Sequence, residues 1–386
     1  MLNAHAPHRP SRTGLRGVVG AVALVAAVTT AAPAGAAPPA GSGAAPGYTL
    51  TDLGPLEGGT SSSALGIGRD GVAVGTSRTG PAARPQVAVR WDTDGQVVNL
   101  GTLPGSTFSR AFAVNARGQA AGEAFTPAPE VSRAVIWEAD GTIRDLGTLG
   151  GPSAVANDID ASGRVYGASS QLSGPSQATV WEAGGPQALP PVDPQASGSS
   201  RVNGASDSGI AVGASPSLVG TQSVGQATRW TVRGPRATAT PLDRLEAGGF
   251  STAYGVNERG VAVGEATRLD PTAAAPQRTS TRAVRWDGTR VQELPGLGTY
   301  RFTRASDVSA RGDAVGFASG FAGFPSIDGA AVLWRDGRAI DLNTVVAGGT
   351  DGLVLRSAES INERGQIVGF GTRNGQNRAY LLTPTR

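Results

Sequence analysis

The sequence has 386 residues, a formal net charge of +3 and 33 basic side chains, all of them arginine, but it has no cysteine. Its two histidines, His5 and His8, lie close to the N-terminus. The rest of the chain therefore has no imidazole, thiolate or amine side chain, which excludes Ser-His-Asp hydrolases, thiol proteases, zinc enzymes and P-loop NTPases. Paired carboxylates, a tyrosine nucleophile or an oxygen-ligated calcium ion remain compatible with this composition.

Residues 1–36 have the pattern of a secretory signal peptide. Arg9, Arg12 and Arg16 precede the apolar segment VVGAVALVAAVTTAA, and Ala34-Gly35-Ala36 is a cleavage motif of small residues. Because the apolar segment is too short for a good membrane span, we expect cleavage after Ala36 and secretion. Cleavage removes three arginines and no acid, so the net charge falls to zero. We therefore expect no nucleic-acid partner and no membrane span in the mature chain.

The next segment, residues 37–47, is rich in Ala, Pro and Gly, and we predict that it is disordered. The remainder, residues 48–386, is predicted to form one folded domain. This domain begins with YTLTDLG, from Tyr48 to Gly54, which reads as a short strand without a neighbouring partner in the sequence.

A repeat with a period of about 48 residues follows this strand. Six copies contain the motif A-x-x-W and a seventh copy reads AYLL, so the motif ends at Trp91, Trp137, Trp181, Trp230, Trp286, Trp334 and Leu382. Because every tryptophan ends a strand at the same place, we expect packing between repeats, with sugar stacking as the alternative.

Two glycines recur between the tryptophans. The first lies in a predicted hairpin turn, at Gly71, Gly118, Gly163, Gly209, Gly260, Gly312 and Gly365. The second lies four residues later in a predicted strand, at Gly75, Gly122, Gly167, Gly213, Gly264, Gly316 and Gly369. We expect the strand glycines to mark crowded backbone, where a side chain would clash.

Each repeat predicts four short strands, as in SRAFAVN, QAAGEA, SRAVIW and TIRDLG. Seven such units predict an all-β fold, a seven-bladed β-propeller with four antiparallel strands per blade. The last repeat lacks its fourth strand, and Tyr48–Leu53 has the sequence of that missing strand. We therefore expect the N-terminal strand to complete the last blade and to close the ring.

The combined pattern, DLGTLGG followed by S-x-A, G-x-V-V-G-like and A-x-x-W segments, resembles the HAF-repeat family of predicted extracellular bacterial proteins. The resemblance covers almost the whole mature chain and implies a secreted repeat protein, but no particular activity. The histidine that names the family is absent here. Its positions are occupied by Val87, Arg133, Gln177, Gln226, Arg282, Ala330 and Arg378.

One hairpin has a candidate metal-binding sequence. Asp158, Asp160 and Ser162, followed by a glycine, match the start of a D-x-D-x-S-G calcium loop. The acids that such loops use at the ninth and twelfth positions are replaced by Tyr166 and Ser169. We therefore expect no cofactor, with Ca²⁺ as the alternative.

Three arginines occupy one equivalent position at the start of the innermost strands: Arg110, Arg201 and Arg304. If they point toward the channel mouth, they could bind an anion such as an acidic sugar, a carboxylate or a phosphate. The alternative is that they pair with nearby acids such as Asp158 and Asp307, or lie in solvent.

The loops that join the second and third strands vary most between repeats, and antiparallel order places them all on one face. Variable loops on a rigid ring are typical of a recognition surface. We therefore predict a secreted, monomeric, non-catalytic protein that binds an extracellular glycan or partner protein. One alternative is a carboxylate-dependent carbohydrate-active enzyme, a glycosidase or lyase using Asp158, Asp307 and Glu359. The other is a structural envelope or matrix protein.

Overall fold

The computed structural model describes residues 47–80, 86–127, 130–234, 236–270, 279–320 and 328–385. The signal peptide predicted over residues 1–36 lies outside this part of the chain, as does all of the segment predicted over 37–47 except Gly47. Among the described residues, no helix is long and apolar enough to cross a membrane.

The described residues form seven four-stranded antiparallel sheets, which are the seven blades of a β-propeller. The first strand, β1, is Tyr48–Asp52. Blade 1 contains β2 (Gly59–Ile67), β3 (Ala73–Thr79), β4 (Gln86–Trp91) and β5 (Val97–Gly101). Blade 2 contains β6 (Phe108–Val114), β7 (Ala120–Pro127), β8 (Glu130–Trp137) and β9 (Ile143–Asp145). Blade 3 contains β10 (Gly150–Ile159), β11 (Val165–Gln171), β12 (Gln177–Glu182) and β13 (Gly185–Ala188). Blade 4 contains β14 (Arg201–Ala205), β15 (Ile210–Val219), β16 (Gln222–Arg233) and β17 (Arg236–Pro241).

Blade 5 contains β18 (Ser251–Val256), β19 (Ala262–Leu269), β20 (Thr279–Asp287) and β21 (Arg290–Glu293). Blade 6 contains β22 (Phe302–Val308), β23 (Ala314–Ser319), β24 (Ala330–Arg335) and β25 (Arg338–Asp341). A short 3₁₀ helix, Leu342–Thr344, leads into blade 7, which contains β26 (Val354–Ile361), β27 (Ile367–Arg373) and β28 (Gln376–Pro384). The predicted fold is confirmed.

The N-terminal strand β1 is the fourth strand of blade 7. It pairs antiparallel with β28, in a register that places Tyr48 opposite Pro384 and Asp52 opposite Tyr380. Tyr48 is fully buried, and its backbone N–H also donates to Val345 O at 2.9 Å. The predicted closure of the ring by the N-terminal strand is therefore confirmed, with the strand ending one residue earlier than expected.

A β-bulge at the same place in every innermost strand explains the strand glycines. The register of the first strand shifts just after the residue that pairs with the strand glycine, as between Ala111 and Ala113 in blade 2. A side chain on any of the seven strand glycines would collide with the carbonyl oxygen of the neighbouring innermost strand; these oxygens belong to Ser63, Arg110, Val155, Arg201, Thr252, Arg304 and Ser357. Only glycine fits opposite this bulge.

The six tryptophans lie between adjacent blades. Each is at most 3% exposed and packs against apolar residues of the preceding blade; Trp181, for example, packs on Ala121 and Ile136. Five of the indole N–H groups donate to a carbonyl in the connection that precedes their own blade, with acceptors Gly54, Gly147, Pro190, Asp243 and Pro295. The predicted packing role is confirmed, because rings this buried offer no face to a sugar.

Candidate functional site

The propeller has two faces of different character. The variable-loop face contains the connections between the second and third strands of each blade, which follow Thr79, Pro127, Gln171, Val219, Leu269, Ser319 and Arg373. The turn face is the opposite one, and it contains the hairpins between first and second strands and between third and fourth strands. The central channel runs between these two faces.

The channel lining is formed by one residue of each innermost strand at the bulge: Leu65, Phe112, Asn157, Asn203, Tyr254, Ser306 and Glu359. The cavity at this layer has a volume of about 250 Å³. Blades 1 and 2 contribute apolar side chains to this layer, whereas blades 3 to 7 contribute polar ones. The seven repeats therefore build a regular ring, but the channel wall is apolar at blades 1 and 2 and polar at blades 3 to 7.

Two of the three predicted channel arginines pair with glutamates of second strands. Arg110 Nε lies 2.8 Å from Glu123 Oε1, and the carboxylate of Glu123 is almost completely buried. Arg304 Nη2 lies 3.1 Å from Glu265 Oε1. The predicted alternative of pairing with acids is thus realised, but with acids other than Asp158 and Asp307.

Arg201 differs from the other two arginines because it is exposed. Its Nε donates to Asn203 Oδ1 at 3.2 Å, within the same strand. The structure therefore does not bring the three guanidinium groups together as equivalent free cations. A role of Arg201 in anion binding stays a prediction.

Tyr254 and Arg304 form a compact cluster around Glu265. The hydroxyl of Tyr254 donates to Glu265 Oε1 at 2.9 Å, and the Arg304 guanidinium lies 4.6 Å from the centre of the Tyr254 ring. Burial, followed by the negative charge of Glu265, raises the pKa of Tyr254. Burial would by itself lower the pKa of Arg304, but Glu265 and Glu359 raise it above its usual value. The cluster keeps a neutral phenol beside an ion pair at neutral pH.

Glu123 and Glu265 were not among the site residues predicted from the sequence. Both follow a strand glycine in the tripeptide Gly-Glu-Ala, whereas the other repeats have Thr76, Ala168, Ala214, Phe317 and Phe370 at this position. An acid that directly follows the strand glycine, opposite a first-strand position, is the signal that could have identified them.

Asp158 and Asp307 each accept a hydrogen bond from the backbone of the next blade. Asp158 Oδ2 accepts from the backbone N–H of Ala205 in blade 4 at 2.6 Å, and Asp307 Oδ2 accepts from that of Ile361 in blade 7 at 3.0 Å. Removal from bulk water raises the pKa of Asp158 to about 7 and also raises that of Asp307. Glu359, the third channel acid, accepts from the Ser357 hydroxyl, and burial raises its pKa.

The candidate calcium residues are already occupied by protein donors. Asp160 Oδ1 accepts from the backbone N–H groups of Ser162 and Arg164 and from the Ser162 hydroxyl, which lies 2.6 Å away. Its Oδ2 accepts from Arg164 Nε at 2.7 Å and from the Tyr166 hydroxyl. Across the described ranges, no three acidic side chains converge as ligands for a metal ion. In the folded chain the Asp160 oxygens hold the hairpin together, and a calcium site at Asp158, Asp160 and Ser162 stays a prediction.

The turn face is dominated by contacts between blades. Arg69 of blade 1 reaches across the channel end, where its Nη2 lies 2.7 Å from Asp207, 3.3 Å from Glu363 and 3.7 Å from Glu258. In three blades a turn asparagine donates to a turn carbonyl of the next blade; these pairs are Asn115 with Asp160, Asn257 with Ser309, and Asn362 with Gly68. These polar side chains of the turn face thus link different blades of the ring.

The variable-loop face carries apolar side chains instead. Within the described ranges, the exposed large apolar side chains are Leu172, Leu218, Val219, Leu269 and Val354, and all five lie on this face. Leu172, between β11 and β12, is 88% exposed. Leu218, Val219 and Leu269 end the second strands of blades 4 and 5. Four of these five positions therefore lie in blades 3 to 5, and the fifth, Val354, lies in blade 7.

Comparison with known proteins gives structural matches only. No protein-family model matches the chain, and no curated protein matches its sequence. The β-propeller domain of the Trilobed protease from Pyrococcus furiosus, described as having an open velcro topology, is similar at 8% identity and a TM-score of 0.52, over 88% of this chain and 96% of that one. Oligogalacturonate lyase from Vibrio parahaemolyticus is similar at 9% identity and a TM-score of 0.53, over 86% of this chain and 93% of that one. At such identities the likeness concerns the fold alone, and the HAF-repeat resemblance stays an expectation from the motif.

Proposed function

We propose that this chain is a secreted, non-catalytic propeller that binds an extracellular glycan or partner protein through its variable-loop face. The observation that carries the proposal is the location of all five exposed large apolar side chains of the described residues on that face. Exposed apolar side chains on one face of a soluble protein are typical of a binding surface when they lie together. The N-terminal signal sequence supports secretion, because it combines arginines, an apolar segment and a cleavage motif.

The contrast between the two faces adds to this argument. On the turn face, asparagine and arginine side chains bond to the backbone of the next blade, so their variation is restricted by the fold. On the variable-loop face, the connections differ in length and sequence from blade to blade. Variation of this kind is typical of loops carried on a rigid scaffold.

The proposal is tested by comparing two sets of substitutions on an array of extracellular glycans and immobilised extracellular proteins. In the test variant, Leu172, Leu218 and Leu269 are changed to Ser. In the control, Ala139 and Ala183, which are exposed on the turn face, are changed to Ser. We expect the wild type and the control to bind the same partners, and the test variant to lose at least about tenfold in affinity. Equal binding by all three proteins, or no binding by the wild type, would contradict the proposal.

A carbohydrate-active enzyme is the second candidate, because the channel contains acids with raised pKa values. A general acid at neutral pH needs such a carboxyl group. Asp158 is engaged by backbone donors, but Glu359 accepts only the Ser357 hydroxyl among the described contacts and lies in the field of Arg304. The test is turnover of uronate-containing polysaccharides by the wild type and by Glu359→Gln. Activity that disappears in the variant would favour the enzyme, and an inactive wild type would remove this candidate.

A further inference from the structure

A second concave region lies between blades 5 and 6, and it shares no lining residue with the central channel. It is a groove of about 830 Å³ bounded by β21 of blade 5 and by the turns of blade 6 around Gly312 and Gly337. This volume lies in the range of small-ligand sites in proteins. Five arginines line the groove: Arg285, Arg290, Arg311, Arg335 and Arg338.

Arg285 does not make the hydrogen bonds that its counterpart in blade 4 makes to the next blade. That counterpart, Arg229, precedes the blade tryptophan in the same way, and its Nη2 donates to Gly260 O at 2.7 Å and to Gly288 O at 2.8 Å in the next blade. The Arg285 guanidinium lies beside the equivalent turn glycine of blade 6, Gly312. In the described part of the chain it has no hydrogen-bond or ion-pair partner, so its donors are available to a ligand.

Arg311 departs from the repeat in a similar way. Its counterparts in blades 2, 5 and 7 donate to turn carbonyls of the next blade; these are Arg117 to Ser162, Arg259 to Ala310, and Arg364 to Asp70. In those turns the residue two positions earlier is an asparagine, whereas blade 6 has Ser309. Over the described ranges Arg311 has no such partner, and its side chain lines the groove.

The remaining charges indicate which kind of anion would fit. Arg335 pairs with Asp313 at 2.7 Å, and the groove also contains Asp287, Glu293 and Asp336. Five arginines against four acids leave the groove only slightly cationic. This balance disfavours a densely sulfated or phosphorylated polymer, which the acids would repel. It suits a ligand with a few carboxylates among many hydroxyls, since the acids accept hydrogen bonds from hydroxyls and arginine binds carboxylates through two parallel bonds.

We propose that this groove binds a uronic-acid oligosaccharide, with Arg285 and Arg311 holding a sugar carboxylate. The site lies outside the variable-loop face and does not depend on recognition there. The two proposals can therefore fail separately.

The test measures binding of galacturonate, glucuronate and mannuronate trimers to the full mature chain by isothermal titration calorimetry. The groove variant combines Arg285→Gln and Arg311→Gln. The matched control combines Arg233→Gln and Arg236→Gln, which are exposed arginines at the corresponding hairpin of blade 4. The methyl esters of the same trimers test whether the carboxylates are needed.

We expect the wild type and the control to bind at least one trimer, and the groove variant to bind it at least about tenfold more weakly with an unchanged melting temperature. The methyl ester should bind about as weakly to the wild type as the acid does to the groove variant. No binding of any trimer by the wild type would overturn the proposal. Equal binding by the groove variant and the control would overturn it as well, and so would undiminished binding of the ester.

Discussion

Gly213 and its six equivalents lie opposite the bulges that shape the channel wall. A methyl group at Gly213 would meet the carbonyl oxygen of Arg201, which is backbone and cannot move without breaking the β14–β15 pairing. The sequence predicted crowding at these positions from their spacing alone. It could not predict the cause, because a bulge depends on how the two strands pair.

We expect Gly213→Ala to lower the free energy of unfolding by about 3 kcal/mol, since overpacking against backbone forces the strands apart. Gly184→Ala is the matched control, because no atom lies within 4 Å of its added methyl group. The control should change the stability by less than about 0.5 kcal/mol. Guanidinium denaturation of both variants measures the difference, and equal stabilities would contradict the clash.

The channel acids predict how stability depends on pH. The pKa of Asp158 is about 7 in the folded protein, whereas an unfolded aspartate titrates near 3.9. The folded state therefore binds more protons between these values, and the contribution of Asp158 to stability is present below pH 4 and is lost as the pH rises through 7.

Asp158→Asn should accordingly flatten the decrease in unfolding free energy between pH 4.5 and 7, by up to about 1.4 kcal/mol per pH unit. Asp140→Asn is the control, because the Thr142 backbone N–H lowers the pKa of Asp140 and keeps its titration below this window. Denaturation midpoints at several pH values measure the slopes. If the wild type and Asp158→Asn have parallel profiles, the buried carboxyl is not the cause.

The positions of two channel arginines were predicted from the sequence, but their ion-pair partners were not. Their shared position in the repeat placed Arg110 and Arg304 at the start of the innermost strands, where the structure has them. Their partners were not predicted, because Glu123 and Glu265 lie on second strands, and Glu265 belongs to a different blade from Arg304. Arg110 and Glu123 face each other in the β6–β7 register, whereas the contact of Arg304 with Glu265 joins adjacent blades and depends on how the blades are arranged, which the repeat period does not specify.

At the scale of elements, β1 contributes the outer edge of the last blade. Its Tyr48 packs in the cluster that joins blades 6 and 7, with Leu333, Leu353 and Leu355. Both ends of the strand are fixed, because Tyr48 also bonds to Val345 O and the Leu53 N–H donates to Ala379 O. This contribution was predictable, since the last repeat visibly lacked a strand and the N-terminus supplied one.

A chain that starts at Gly54 should melt well below one that starts at Gly47, because blade 7 loses its fourth strand and an edge is exposed. A synthetic peptide of residues 47–56 should raise the melting temperature of the shorter chain as its concentration increases, by mass action. Scanning calorimetry measures both effects. Identical melting of the two chains would show that β1 does not close the ring.

The turn hairpins were predicted as elements, but their role between blades was not. DIDASG was recognised as a turn with a calcium alternative, and the structure shows a hairpin whose Asp160 is saturated by its own loop. The Asn-x-Arg-Gly turns looked like ordinary hairpins, yet Asn257 and Arg259 both bond to the next blade. The local sequence indicates the turn. The hydrogen-bond partner of its side chains lies in the next blade, so it can be identified only once the blades are placed side by side.

For the whole molecule, the repeat determined the ring, the number of blades and the direction of every strand. Both proposals rest on departures from the repeat. These are the exposed apolar residues in blades 3 to 5, and Arg285 and Arg311 between blades 5 and 6, which have no partner among the described residues. These departures could be seen in the sequence. The exposure of these residues could not be predicted from the sequence, because it depends on which side chains the adjacent blades cover.

The central claim is that recognition occurs on the variable-loop face, and hydrogen–deuterium exchange with and without a bound partner from the array tests it most directly. We predict slower exchange on binding in the connections after Gln171, Val219 and Leu269, with no change in the turn-face hairpins around Gly118 and Gly260. Protection confined to the turn face, or to neither face, would contradict the claim.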